Sequence, residues 1–144
     1  MSHQVAVIGM GRFGSSLALE LYRIGHDVLT VDRVESLTQE MMGLVTYSVT
    51  GDSTTMQFLE EVGIRNFDTA VVAIGDIQNS VLTTVLLKKT FQVHEVVARA
   101  TSELHGKTLQ AVGADRVVYP EQETGIRTAH SLFQREVLEY MELN

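Results

Sequence analysis

The stretch from Gln4 to Gly14 constrains this chain more than any other. An apolar run, Val5-Ala6-Val7-Ile8, leads directly into Gly9-Met10-Gly11-Arg12-Phe13-Gly14. The run reads as a strand and the glycines fall at G-x-G-x-x-G spacing. In such a turn the first glycine permits a tight reversal, the second leaves bare backbone for a close approach, and the third lets the next helix pack against the sheet. The helix expected over residues 12–24 points its free N–H groups and dipole at the turn, which favours an anion such as a pyrophosphate.

Taken alone, a glycine-rich turn can be no more than a tight connection, so its surroundings decide its meaning. Gly25 closes the helix, residues 27–31 read as a second strand, and Asp32 falls at that strand's end, 21 residues after Gly11. An acid there can accept hydrogen bonds from a ribose 2′-OH and 3′-OH and repels a 2′-phosphate. NAD or an adenine nucleotide is therefore expected over NADP, with the adjacent Arg33 counting the other way. A short helix over residues 36–42 and a third strand over residues 45–49 complete a β-α-β-α-β half. Its ligand crevice is expected at the carboxyl ends of the strands.

The next turn, Gly51-Asp52-Ser53-Thr54-Thr55, has two readings. Asp52, Ser53 or Thr54 can cap the following helix, or the same carboxylate and hydroxyls can face an adenine or ribose. Residues 69–74 form a continuous apolar run, the pattern of a buried parallel strand, with Ile74 and Gly75 at its carboxyl end. Asp76 can cap a helix over residues 77–89, whose Asn79 and Ser80 are expected to face solvent. A fifth strand over residues 93–98 ends at Arg99, which can approach phosphates or pair with a nearby acid. Ser102 caps a helix over residues 103–112, and a sixth strand over residues 117–120 is stopped by the only proline. Glu121 and Glu123 follow, as candidates for a phosphate-bridging divalent ion or as solvated surface. From residue 124 to 141 the apolar positions Ile126, Ala129 or His130, Phe133, Val137, and Tyr140 or Met141 recur at helical spacing. That stripe can cover its own sheet or meet another chain.

Composition narrows the function classes. The 144 residues are one domain's worth of chain, with no room for a separate substrate domain, and 44% of them are hydrophobic. A net charge of −7 argues against non-specific nucleic-acid binding. The lack of cysteine excludes disulfides and thiolate zinc sites and fits a reducing interior. The histidines are dispersed without paired ligand spacing, so solvated or hydrogen-bonded roles are expected of them. No apolar run approaches the ~20 residues of a spanning helix. A soluble cytoplasmic chain is expected, with any membrane association through a partner.

These segments resemble the N-terminal nucleotide-binding domain of the RCK (KTN, TrkA-N) proteins, regulators of potassium channels and transporters. The resemblance is carried by the Gly9 to Gly14 turn, Asp32, Gly51-Asp52-Ser53-Thr54, Val71-Val72-Ala73-Ile74-Gly75, Arg99, and the segment from Gly113 to Glu121. It is especially similar to the KtrA-type cytoplasmic subunits of Ktr potassium uptake systems. The resemblance implies a Rossmann-like doubly wound α/β fold with a mostly parallel six-stranded sheet over residues 1–123. Residues 124–144 would form a long C-terminal crossover helix that contacts a dimer partner. It further implies homodimers assembled into an octameric ring on a potassium-translocating membrane subunit of the KtrB type, with ATP, ADP or NAD(H) as ligands. Gly9, Gly11 and Gly14 would line the phosphates, Asp32 would hold the ribose, and Asp52 would lie by the adenosine. Arg12 would reach terminal phosphates, those of a neighbouring subunit's nucleotide, Arg99 would assist, and Glu121 would lie near the γ-phosphate or its cation. The candidate cofactor-binding set is Gly9, Gly11, Arg12, Phe13, Gly14, Asp32, Arg33, Asp52, Ser53, Ile74, Gly75, Arg99 and Glu121. It contains no catalytic residue and no resident metal.

Two other classes compete with a nucleotide-sensing regulator. An NAD-dependent oxidoreductase, or the cofactor-binding fragment of one, would need a proton-transfer pair such as Tyr-x-x-x-Lys, which does not follow the cofactor half. A purely structural oligomerisation domain would not need Gly9, Gly11, Gly14 and Asp32 intact. An arginine directly after the second glycine suits counting phosphates better than hydride transfer.

Overall fold

The computed structural model describes residues 2–134. Six strands, β1 (Gln4–Ile8), β2 (Asp27–Asp32), β3 (Tyr47–Thr50), β4 (Thr69–Val72), β5 (Glu95–Arg99) and β6 (Arg116–Val118), form one sheet. Its order is β3-β2-β1-β4-β5-β6, and every pairing is parallel. The expectation of a mostly parallel sheet is thus met in full. Parallel neighbours need crossovers, and helices supply them. These are α1 (Arg12–Arg23), α2 (Glu35–Met41), α3 (Met56–Glu61), α4 (Ile77–Val85), α5 (Glu103–Ala111) and α6 (Pro120–Ser131).

Alternation along each strand divides the core into two layers. Val5, Val7, Val28, Val71 and Val97 point to the face covered by Ala18 of α1 and Met41 of α2. Ala6, Ile8, Leu29, Val31 and Val72 point to the other, packing with Leu59 of α3, Leu87 and Leu109 of α5. Strands buried on both faces are why these segments read as unbroken apolar runs.

Several local details differ from the sequence expectation. Thr55, not Asp52, Ser53 or Thr54, caps α3: its hydroxyl accepts from the Phe58 N–H at 3.3 Å. Helix α4 widens into a π-helical turn, Leu86–Thr90, in which the Phe91 N–H reaches back five residues to the Leu86 carbonyl at 2.9 Å. Lys88 is thereby brought to the foot of β5, where its Nζ donates to the Asp115 carboxylate at 2.8 Å and to the His94 carbonyl at 2.9 Å. Asp115 also accepts from the Val96 N–H; burial works to raise its pKa, but these hydrogen bonds outweigh it and keep the carboxyl below the usual range.

Pro120 starts a helix instead of only ending a strand. It is the first residue of α6, a position where the missing N–H has no bond to lose. Glu121 and Glu123 consequently lie in the first turn of α6, favourably placed against its dipole. No residue described in α6 is buried, and Ile126, Leu132 and Phe133 are exposed. The stripe positions Val137, Tyr140 and Met141 lie outside the described residues.

Candidate functional site

The turn after β1 is built by close contacts that only hydrogen side chains allow. Gly9 has φ +104°, and a Cβ there would meet the Ala73 carbonyl oxygen at 2.7 Å. A Cβ on Gly14 would sit 1.8 Å from the Gly9 carbonyl oxygen, so α1 crosses directly over the turn. Gly11 is the opposite case. A Cβ there would meet nothing within 4 Å, and Gly11 opens α1 with no side-chain cap and no acid in the first turn. The N–H groups at this helix start are left for an anion from outside the domain.

A cleft of about 340 Å³ runs along the carboxyl edge of the sheet at this point, within the range of small-ligand sites. The strand order arranges its lining as a row. Asp52 follows β3, Asp32 ends β2, Gly9 and Gly11 follow β1, Ile74 and Gly75 follow β4, and Arg99 ends β5. Carboxylates stand at one end, a helix N-terminus in the middle and a guanidinium at the other. Arg33 and Asn79 also border the cleft.

Both acids are positioned by backbone amides. One Asp32 oxygen accepts from the Met10 N–H at 2.7 Å and the other from the Val34 N–H at 2.8 Å. Asp32 thus ties the glycine turn to its own strand and keeps its remaining lone pairs for hydroxyl donors. Asp52 accepts from the Thr54 hydroxyl at 2.6 Å and the Thr54 N–H at 2.9 Å. These bonds, first the hydroxyl's, hold its carboxyl below the usual carboxylate range, with Arg33 adding to the effect. Ser53 lines the cleft but is buried, its hydroxyl bonded to Thr83 at 2.8 Å.

The remaining expected site residues lie elsewhere. Gly14 is sealed under the turn. Phe13 packs into the α1 layer near Leu17, Leu21 and Val118, away from the cleft. Arg12 is exposed at the start of α1 and does not line the cleft. Glu121 borders an adjoining hollow with Thr101, Ser102 and Tyr119, and its Oε1 accepts from Arg99 Nη2 at 2.7 Å. Of the two readings of Arg99 the acid partner is seen, and the same side chain also lines the cleft.

Ser80 overturns its expectation of facing solvent. It is fully buried, with its oxygen 2.6 Å from Nε2 of His105. Nδ1 of His105 accepts from the Thr101 N–H at 3.1 Å, so Nε2 carries the proton and donates to Ser80, which donates to the Ile77 carbonyl. This chain joins the first turn of α4, at the cleft, to the loop after β5. Burial first, then the nearby Arg99 charge, depresses the His105 pKa. A depressed histidine pKa stabilises the fold fully above the unfolded value of about 6.5 and loses that contribution as pH falls below it. Melting temperature should therefore drop between pH 7 and pH 5.5, and less in His105→Gln; equal drops in both proteins would place the effect elsewhere.

Among the described residues no group of three or more His, Cys, Asp or Glu is arranged to hold a metal ion. No helix among them is long and apolar enough to cross a membrane.

Strand order, glycine turn and cleft together define a Rossmann-class domain with its ligand crevice at the carboxyl edge of a parallel sheet. The chain belongs to the TrkA-N domain family, which matches residues 5–120. It is 41% identical to the Ktr system potassium uptake protein C of Bacillus subtilis over 145 aligned positions, covering 100% of this chain and 65% of that protein. To the Ktr system potassium uptake protein A of the same organism it is 42% identical over 142, covering 98% and 64%. The chain thus spans just under two thirds of the length of these relatives. Among solved structures, the GsuK channel bound to NAD superposes with a TM-score of 0.77 at 27% identity, over 94% of this chain and 24% of that one. GsuK bound to ADP gives 0.76 at 28%, over 93% and 34%.

Proposed function

We propose that this chain is the nucleotide-sensing module of a potassium-uptake regulator. The observation that carries this reading is the charge order along the cleft. Asp52 and Asp32 suit the hydroxyls of an adenosine, the bare backbone at Gly9 and Gly11 suits the first phosphates, and Arg99 suits negative charge beyond them. A cation at that end favours ADP or ATP over the nicotinamide half of NAD(H), although GsuK has been seen with both ADP and NAD.

In this reading Arg12, exposed and turned out of its own cleft, serves a nucleotide held by a second copy. The exposed apolar positions of α6 make the homodimer contact as the crossover helix, and dimers build the octameric ring. The ring docks at the inner face of the membrane on a potassium-translocating subunit of the KtrB type. The module does no chemistry on its ligand; it shifts between ring shapes because one nucleotide favours one shape more than another does, and only that differential affinity can move the populations.

The test is calorimetry of ATP, ADP, NAD and NADH on the purified chain, with light scattering on the same samples. ADP and ATP should bind more tightly than either dinucleotide, with assembly size depending on the ligand. Binding of NADH alone would turn the reading towards a redox sensor or an oxidoreductase fragment.

A further inference from the structure

Arg99 is held in a way that leaves one of its donors stranded. Its side chain is 17% exposed, and Nη2 bonds a single oxygen of Glu121 at 2.7 Å. The Nε–H, on the same side of the guanidinium, is buried with no hydrogen-bond partner among the described residues. An arginine satisfies an anion best through two parallel N–H bonds, and Nε with Nη2 is one such fork. Glu121 takes half of that fork and leaves the other half unfilled.

Glu121 is itself loosely committed. Its side chain is 66% exposed, it borders the adjoining hollow instead of the cleft, and it sits in the first turn of a helix with no buried residue. The pair therefore connects two things: a cation facing the cleft and the root of α6. An exposed carboxylate on one N–H is a weak partner beside a phosphate, which carries more charge and can accept from both donors.

We infer that Glu121 is a resident competitor for Arg99: a phosphate entering the cleft takes the guanidinium from it and frees the first turn of α6. This rests on the nucleotide reading above and gives Glu121, when no cation is bound beside the phosphates, the part of a positioning residue. Arg99 becomes the point at which phosphate in the cleft is converted into a change at α6. Adenosine, which reaches only the acidic end, should leave the pair intact.

The test compares the unaltered chain with Glu121→Gln, in buffer without divalent cations, using adenosine and ADP as probes. An amide cannot hold the guanidinium as a carboxylate does, so the variant should bind ADP about three- to tenfold more tightly while adenosine affinity stays level. Hydrogen exchange gives the second readout. In the unaltered chain ADP, but not adenosine, should speed exchange across residues 119–124; in Glu121→Gln exchange there should be fast beforehand and indifferent to ADP. Weaker or unchanged ADP binding by the variant would overturn the inference while the nucleotide reading stands. Failure of the unaltered chain to bind either probe would overturn both.

Discussion

Gly14→Ala is expected to lower the melting temperature by about 10 °C, corresponding to roughly 3 kcal/mol or more. The added methyl would lie 1.8 Å from the Gly9 carbonyl oxygen and 3.2 Å from the Ala73 Cβ. Neither neighbour can yield cheaply. Gly9 is itself pressed against the Ala73 carbonyl, so moving the turn away from α1 drives it into the strand beside it. Relief would require α1 to lift from the sheet and open the layer built on Val5, Val7 and Ala18. Thermal denaturation followed by circular dichroism measures this directly. A melting temperature within 2 or 3 °C of the unaltered chain, a shift worth under about 1 kcal/mol, would mean that α1 has freedom these contacts deny.

Asp32→Ala should weaken adenosine, ADP and NAD alike, by about thirty- to a hundredfold, because hydrogen bonds from ligand hydroxyls to a charged acceptor are lost. The loss should be common to all three since each carries the same ribose. Its distinguishing feature is that asparagine should rescue little. Both carboxylate oxygens accept from backbone amides, Met10 on one side and Val34 on the other, so an amide group would set a donor against a donor on one side. Calorimetry well below the melting temperature separates binding from stability. Retained affinity with a lowered melting point would leave Asp32 as a brace for the glycine turn and nothing more.

The parts of the site that lie along one stretch of chain were legible in the sequence. Gly9, Gly11, Gly14 and Asp32 announce themselves by spacing, because a strand, a turn and a helix of fixed length put them in one place. What escaped was decided by contacts between distant segments. Ser80 looks like a first-turn polar residue until α5 lays His105 on it, 25 residues on. Arg99 offered two partners, and only the path of Pro120 into α6 shows that Glu121 sits within its reach. Phe13 lies inside the glycine motif, yet helical geometry turns it to the opposite face from the cleft. At the start of α3 three candidate caps stood in a row, Asp52, Ser53 and Thr54; the Asx turn claimed by Asp52 left the cap to the next residue, Thr55.

The strand order also bears on how such a domain comes together. Most neighbours in the sheet are also neighbours in the chain: Val5 lies beside Val28, Leu29 beside Tyr47, Thr69 beside Glu95 and Val97 beside Arg116. Those joins close short loops and can form early. One does not. For Val5 to lie beside Thr69, the second half of the chain must return across the sheet to its first strand, by far the longest closure among these pairings. That same seam carries Gly9 on one side and Ile74 with Gly75 on the other. The floor of the cleft is therefore the joint made by the longest closure in the sheet, and a ligand lying across it would act as a clasp on that joint.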